Sequence, residues 1–563
     1  MRRVNFFIIV ALIALSLAPA PLKGQQWSGI LNSSRAIDWS NAGAGTIPNR
    51  TTTCATLSAG ASLAAVNAAI AACPANQVVS LAAGNYSFGG QILFSNVNNV
   101  TLRGAGPDQT FIQFTAQGGC TGLHADVCVV SGDTGDFAGA PSNVATWTGG
   151  YTQGTNTITL GAVTTGSVSN LKVGSLLILD QLDDSSDTGN MFVCSASGSN
   201  GTCSQQGSVG NGRTGRGQNQ TVTVTSISGS GPWTIGISPG VYAPNWRSSQ
   251  SPQVWWANGL PASGIGIENL SLNHSGSNGS GVYGMGIQFV NATNSWVSNV
   301  RSLNDQNGVS EHMEAFQSAH ITLQNNYLYG SNPASEGYGL ACDFSSSDVL
   351  IVNNVLNHVA APLMTQGCTG SVFAYNYAVD DYFGPGAWQG EDSHHSVGDE
   401  FNLYEGNETL GLSADDIHGT SYALTFFRNY YSGRDPATAN GTKSEATIPL
   451  WFSAYNRYYN VVGNVLGTSG YHNTYQVQNT STTDCGPNPW TTIYSFGYSN
   501  QNQVAFTPAC IGSGFIVYND SIVHASTMRF DNYDVVTGAT RACTGPSVPS
   551  SFCTEDELAD NAP

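Results

Sequence analysis

His312 and Glu314 stand two residues apart, and Asp343, His394, Asp416 and His418 follow at intervals that only a regular fold could bring together. Two carboxyl groups set side by side repel one another when both are ionised. One then keeps its proton towards neutral pH and can act as a general acid, while the other acts as its base. Asp416 and His418, spaced for one face of a strand, add an acid–imidazole pair beside His394. A second group of residues falls in a longer excursion: the adjacent pair Asp380-Asp381, the aromatic residues Tyr382 and Trp388, and Arg434 further on. Carboxylates with aromatic rings and an arginine suit the binding of a polyhydroxylated chain. The chain contains only ten histidines, so three of them in two short columns of one surface mark that surface for chemistry.

Those columns come from a repeat. Nine times an asparagine follows a short apolar-alternating run and precedes another apolar residue, at Asn99, Asn269, Asn299, Asn325, Asn354, Asn376, Asn407, Asn429 and Asn464. From Asn269 onward the steps run between 22 and 35 residues, a period typical of stacked repeats. The shortest step accommodates three short strands and three turns but little helix. Asparagine tolerates a left-handed bend between strands, and its side chains can form a ladder from coil to coil. The repeat predicts a parallel β-solenoid.

Aligning the coils on the asparagines places Ile287, Met313, Cys342, Met364, Ile417 and Phe452 inward, with His395 interrupting the series. One outward column then reads Gln288, Glu314, Asp343, Thr365, Ser396, His418 and Ser453; the other reads Gly286, His312, Ala341, Leu363, His394, Asp416 and Trp451. Glu314 and Asp343 become neighbours on adjacent coils, with His312 on the same face. A turn one residue longer or shorter would expose His395 in place of His394, and both are kept.

The elements around this repeat are also legible. The run L-S-A-G-A-S-L-A-A-V-N-A-A-I-A-A-C over 57–73 places Leu63, Val66 and Ile70 at helical spacing, as a cap over the first coil requires. Between 144 and 246 the asparagines stop, and alternating runs such as Q-T-V-T-V-T-S-I-S predict a small inserted all-β subdomain. It either walls a cleft or covers an edge. Arg2 and Arg3 followed by an apolar run from Phe6 to Ala18 predict an export signal over 1–24. The remaining divisions are 25–143 for the cap and first coils, 247–540 for the main helix with its candidate site face, and 541–563 for a C-terminal tail. Twelve cysteines in an exported chain favour disulfides between neighbours: Cys54 with Cys73, Cys120 with Cys128, Cys194 with Cys203, Cys342 with Cys368, Cys485 with Cys510 and Cys543 with Cys553. The absence of any C-x-x-C pair disfavours structural zinc, and no metal ligand set is assigned.

Charged residues make up 9% of the chain and the net charge is −19. Nucleic acid is excluded as a partner by that balance, and no stretch beyond the leader reaches membrane-spanning length. A monomer, extracellular or periplasmic, is expected.

Residues V-V-S-L-A-A-G-N-Y-S-F followed by N-N-V-T-L-R-G-A-G-P-D-Q-T resemble the N-terminal coils of the pectate-lyase superfamily. The resemblance covers 50–114 and, through the repeat, 260–470. It implies an all-β chain folded as a right-handed parallel β-helix with an N-terminal capping helix, acting on a polysaccharide. Hydrolysis by paired carboxylates, one protonating the glycosidic oxygen and one activating water from the opposite side, is the leading expectation. Polygalacturonase-type members also carry an adjacent aspartate pair, but the G-H-G and R-I-K elements that accompany it are missing here. A lyase is the alternative, for which Ca2+ would be the cofactor, although no arginine or lysine occupies the two columns. A non-catalytic glycan-binding or surface β-helix is the third possibility.

Overall fold

The computed structural model describes residues 31, 33–132, 141–183, 213, 215–277, 284–304, 308–331, 337–381, 388–416, 419–435, 442–479, 489–498 and 520–541. The expected leader, the tail beyond 541, Tyr382 and His418 lie outside the described residues, as do Cys194, Cys203, Cys485, Cys510, Cys543 and Cys553.

Each coil is three short strands joined by turns. Tyr338–Asp343, Leu350–Val352 and Val355–Asn357 make one coil, and Ala361–Gln366, Val372–Ala374 and Tyr377–Val379 make the next. They stack in parallel, with Leu340 beside Leu363, Ile351 beside Phe373 and Leu356 beside Ala378. Repetition builds an 11-stranded sheet and a 23-stranded sheet that bends over on itself. The chain is a right-handed parallel β-helix. Period-two alternation sends Met313, Leu340, Leu363, Leu412 and Leu450 into one continuous core. In its middle the rings of Phe373, Tyr404, Phe426 and Phe452 pile up, with successive centroids 4.7, 5.5 and 5.6 Å apart.

The bend in the 23-stranded sheet is where asparagine acts, in two adjacent columns. Asn269, Asn299, Asn325 and Asn353 hold the left-handed conformation, a place taken in later coils by Tyr375, Gly406, Arg428 and Gly463. The next residue along is a ladder: Asn326, Asn354, Asn376, Asn407, Asn429, Asn464 and Asn532, each Nδ2 donating to the next Oδ1 at 2.9–3.0 Å. Each ladder carbonyl also accepts the backbone N–H of the asparagine before it. The nine anchors in the sequence mix these columns, since Asn99 to Asn325 are bend residues and Asn354 to Asn464 are ladder residues. Asn376→Ala leaves the buried Asn354 backbone N–H without its acceptor and breaks the ladder on both sides. It is expected to lower unfolding stability by about 1–3 kcal/mol, read by denaturant titration; an unshifted midpoint would make the ladder passive.

The cap is the helix Leu63–Ala72, started by Ser62 Oγ accepting from the Ala65 N–H at 3.2 Å, with Val66 and Ile70 buried. Asn67 fixes it to the first coils by donating to Gln91 O and accepting from the Leu93 N–H. The inserted subdomain is a closed barrel of six strands, from Asn143–Gly149 to Gln253–Trp256. It covers a corner of the helix rather than its end. Tyr242 Oη donates to Asp348 at 2.5 Å, the Thr221 N–H donates to Ser347 Oγ at 2.9 Å, and the barrel core continues into Phe401, Tyr422 and Tyr458. Cys54–Cys73, Cys120–Cys128 and Cys342–Cys368 are joined as disulfides, bonds that persist in oxidising compartments. Among the described residues no helix is long and apolar enough to cross a membrane.

Candidate functional site

Strand Glu311–Phe316 lies between Met285–Val290 and Tyr338–Asp343 in the 11-stranded sheet. Glu314 pairs with Gln288 on one side and with Ala341 on the other, and Asp343 pairs with Phe316. Asp343 thus sits two positions further along than the sequence alignment put it, because two asparagine columns were merged and turn lengths differ. Leu363 and Thr365 correspondingly turn inward, and Met364 turns outward to pack on Tyr338, Ala341 and Ala361. The carboxylates of Glu314 and Asp343 nonetheless meet. They leave the same face of neighbouring strands on a diagonal, within reach of each other's side chains. Glu311 joins them, and one oxygen from each of Glu311, Glu314 and Asp343 lies within 4.8 Å of the others. Glu311 was missed because strict alternation puts residues three apart on opposite faces. Here His312 and Met313 both turn inward and shift the phase between the two glutamates.

The three acids are buried: Glu314 and Asp343 are fully enclosed, and Glu311 is 5% exposed. Burial pushes the Glu314 carboxyl up to about 7, against a hydrogen bond from Gln288 Nε2 at 2.5 Å that acts the other way. Asp343 is raised well above the carboxylate range, first by burial and then by the charges of Glu311, Glu314 and Asp399. The cluster therefore retains protons at a pH where exposed acids have lost them. Its three oxygen sets are also hard donors of the kind that surround a divalent cation.

His312 is not beside the acids. It spans the interior, with Nδ1 at 2.7 Å from Ser302 Oγ and Nε2 at 2.8 Å from Gly330 O, and burial lowers its pKa to about 3. His394 also faces inward, 2.5 Å from Thr365 Oγ1 and 3.3 Å from Asp399, with its ring against Tyr404. The outward imidazole is His395, which pairs with Asp415, so the expected His394–Asp416 pair is displaced by one residue at each end. Asp416 is buried one residue beyond. Because Asp343 pairs with Gln366, and His395 follows the residue that pairs with Thr365, the acids and the His395–Asp415 pair share one outer face two coils apart.

The excursion residues are tied into the protein. Asp380 accepts from His358 Nδ1 at 2.7 Å, and its backbone N–H donates to Asp435. Asp381 is enclosed and raised well above its usual range by burial, helped by Asp392, Asp435 and Asp380 and opposed by Lys443. Arg434 lies over the Tyr471 ring at 4.0 Å, and Trp388 packs edge-on against Trp490. Asp392, which no sequence signal marked, points into the core where other coils place leucine. It accepts from Thr409 Oγ1 at 2.8 Å and is held up to about 8 by burial.

These raised acids give a signed prediction. Asp348 at about 6, Glu314 at about 7 and Asp392 at about 8 all exceed their ordinary values of 3.8, 4.5 and 3.8. Each contributes stability that is complete below its unfolded value and lost as pH rises through its folded one. Tm is expected to fall between pH 5 and 9, and Asp392→Asn to flatten the upper part of that fall. A Tm rising over this range would contradict the burial of these groups.

No family model matches the chain, and no curated protein matches it. Solved structures do. A tailspike of Acinetobacter baumannii bacteriophage AP22, solved in complex with A. baumannii capsular saccharide, is 10% identical over 78% of this chain and 69% of its own, with a TM-score of 0.40. A polygalacturonase from Erwinia carotovora ssp. carotovora is 11% identical over 80% and 94%, at 0.31. PfbA, a surface adhesin of Streptococcus pneumoniae, is 11% identical over 78% and 83%, at 0.36. At these values the likenesses assign no activity.

Proposed function

We propose that the protein cleaves a polysaccharide, with Asp343 and Glu314 as the acid–base pair of a glycoside hydrolase. The observation that carries this reading is the gathering of Glu311, Glu314 and Asp343 within 4.8 Å on the outer face of two neighbouring coils. Asp343, the more strongly raised of the pair, keeps the proton that a leaving glycosidic oxygen needs. Glu314, held near neutrality by burial, is the partner that ionises first, and the charge of Glu311 helps keep Asp343 protonated. One oxygen of each carboxyl group lies within 4.8 Å of the other, so the two can act on a single glycosidic bond.

The same closeness favours one second reading, a lyase in which Glu311, Glu314 and Asp343 hold Ca2+ to neutralise an acidic sugar. A panel of neutral and acidic polysaccharides, with and without chelator, separates the two. New reducing ends without alkene absorbance, insensitive to chelation, support the hydrolase; absorbance that requires Ca2+ supports the lyase. Neither signal on any substrate would overturn both and leave the chain a binding protein.

A further inference from the structure

The far side of the molecule carries a pattern that the acid cluster does not use. Beyond the asparagine bend, the first residues of successive strands stack directly: Tyr327 beside Val355, Val355 beside Tyr377, Tyr377 beside Glu408, Glu408 beside Tyr430, Tyr430 beside Val465 and Val465 beside Tyr533. A tyrosine recurs at every second coil. Tyr327, Tyr377 and Tyr430 are 36%, 41% and 38% exposed, and Tyr533 is half-buried. Isolated exposed apolar residues are ordinary, but four rings at a fixed interval along one line are a surface with a period. Adjacent coils lie about 4.8 Å apart, so the rings repeat about every 9.6 Å.

We propose that this face is a binding track for an extended, neutral β-1,4-linked glycan, separate from the acid cluster. Successive sugars in such a chain are flipped, so every second ring presents the same face, at an interval close to two coils. A phenol ring can cover the C–H face of a pyranose while its hydroxyl stays in water. Charge supports the neutral occupant. In a chain of net charge −19 this strip is nearly balanced, with Arg301 paired to Asp108 and Arg428 to Glu405, and Glu408 is the one acid between Tyr327 and Tyr533 in the column. A polyanion would meet no excess of cations there and a polycation little excess of acid. Grooves adjoin both ends of the line, one lined by Pro107, Arg301, Asn325 and Tyr327 and the other by Arg428, Val465, Asp531 and Tyr533.

The proposal stands independently of the hydrolase reading, and its test reads binding without turnover. The full chain is incubated with microcrystalline cellulose and with chitin, and bound protein is measured against free concentration. The wild type is expected to bind at least one of them. Tyr377→Ala combined with Tyr430→Ala should weaken that binding at least about tenfold through loss of two stacked contacts, with an unchanged Tm. Val173→Ala, off the track and exposed, should bind as the wild type does. Wild-type binding to neither material, equal binding by the double variant, or a preference for soluble polygalacturonate over both would each overturn the proposal. A folding defect in the double variant is met by Tyr377→Phe with Tyr430→Phe, which keeps the rings and should keep the binding.

Discussion

Glu314→Gln and Asp343→Asn are each expected to lower turnover at least about a hundredfold, the ordinary worth of a general acid or base. Both variants should remain folded, because each replaces a buried, repelled acid with a neutral group of the same shape. Above pH 7 their Tm should equal or exceed that of the wild type, since Glu314 no longer has to be deprotonated inside the protein. Glu311→Gln should have a smaller effect, through the titration of its neighbours. His395→Ala is the discriminating companion, for His395 and its partner Asp415 occupy the same face two coils on. If turnover survives in both acid variants and collapses in His395→Ala, the reaction centre lies at that pair instead.

The largest expected loss of stability is at Phe426. Its ring lies between Tyr404 and Phe452 and meets Tyr459 edge-on at 5.8 Å, wholly inside the pile that links four coils. Phe426→Ala removes that link and leaves a cavity flanked by rings too large to close over it. The expected cost is about 3–5 kcal/mol, measured by denaturant unfolding, and Phe426→Leu should recover much of it. A cost below about 1 kcal/mol would mean that neighbouring coils relax freely, contrary to the packing described.

The β-helix was legible because its signal is periodic and redundant: asparagines at the bends, alternation between them, and a capped helix with Val66 and Ile70 on one side. The candidate site was less legible, for two physical reasons. Bend and ladder are adjacent, and asparagine suits both, so Asn325 and Asn354 looked equivalent when the ladder partner of Asn354 is Asn326. That slip, together with a difference in turn length, moved Asp343 next to Glu314, and only the reach of the two side chains kept them together. The other reason is that a helix of this kind encloses polar groups. His394 and Asp392 occupy inward positions that alternation would give to an apolar residue, His312 turns inward out of alternation, and each bonds to a partner remote in sequence: Thr365, Thr409 and Gly330 respectively. Nothing local announces such a partner. Glu311 was hidden by a break in alternation that only paired strands reveal. The tyrosine line, by contrast, was present in the spacing of the coils, but reading it required knowing which residues stack.

The account rests on a carboxyl cluster that titrates near neutrality, and the pH dependence of kcat/KM on whichever polysaccharide the panel identifies tests that most directly. Glu314 and Asp343 titrate jointly, so the profile reports the pair. Activity is predicted to rise as pH increases through about 7, where the first proton leaves the pair, and to fall at higher pH as the second is lost. In Glu314→Gln the rise near neutrality should vanish from the residual rate. A wild-type profile that rises only between pH 4 and 5 and stays flat to pH 9 is what freely exposed carboxylates would give, and it would contradict the assignment of the buried cluster as the reaction centre.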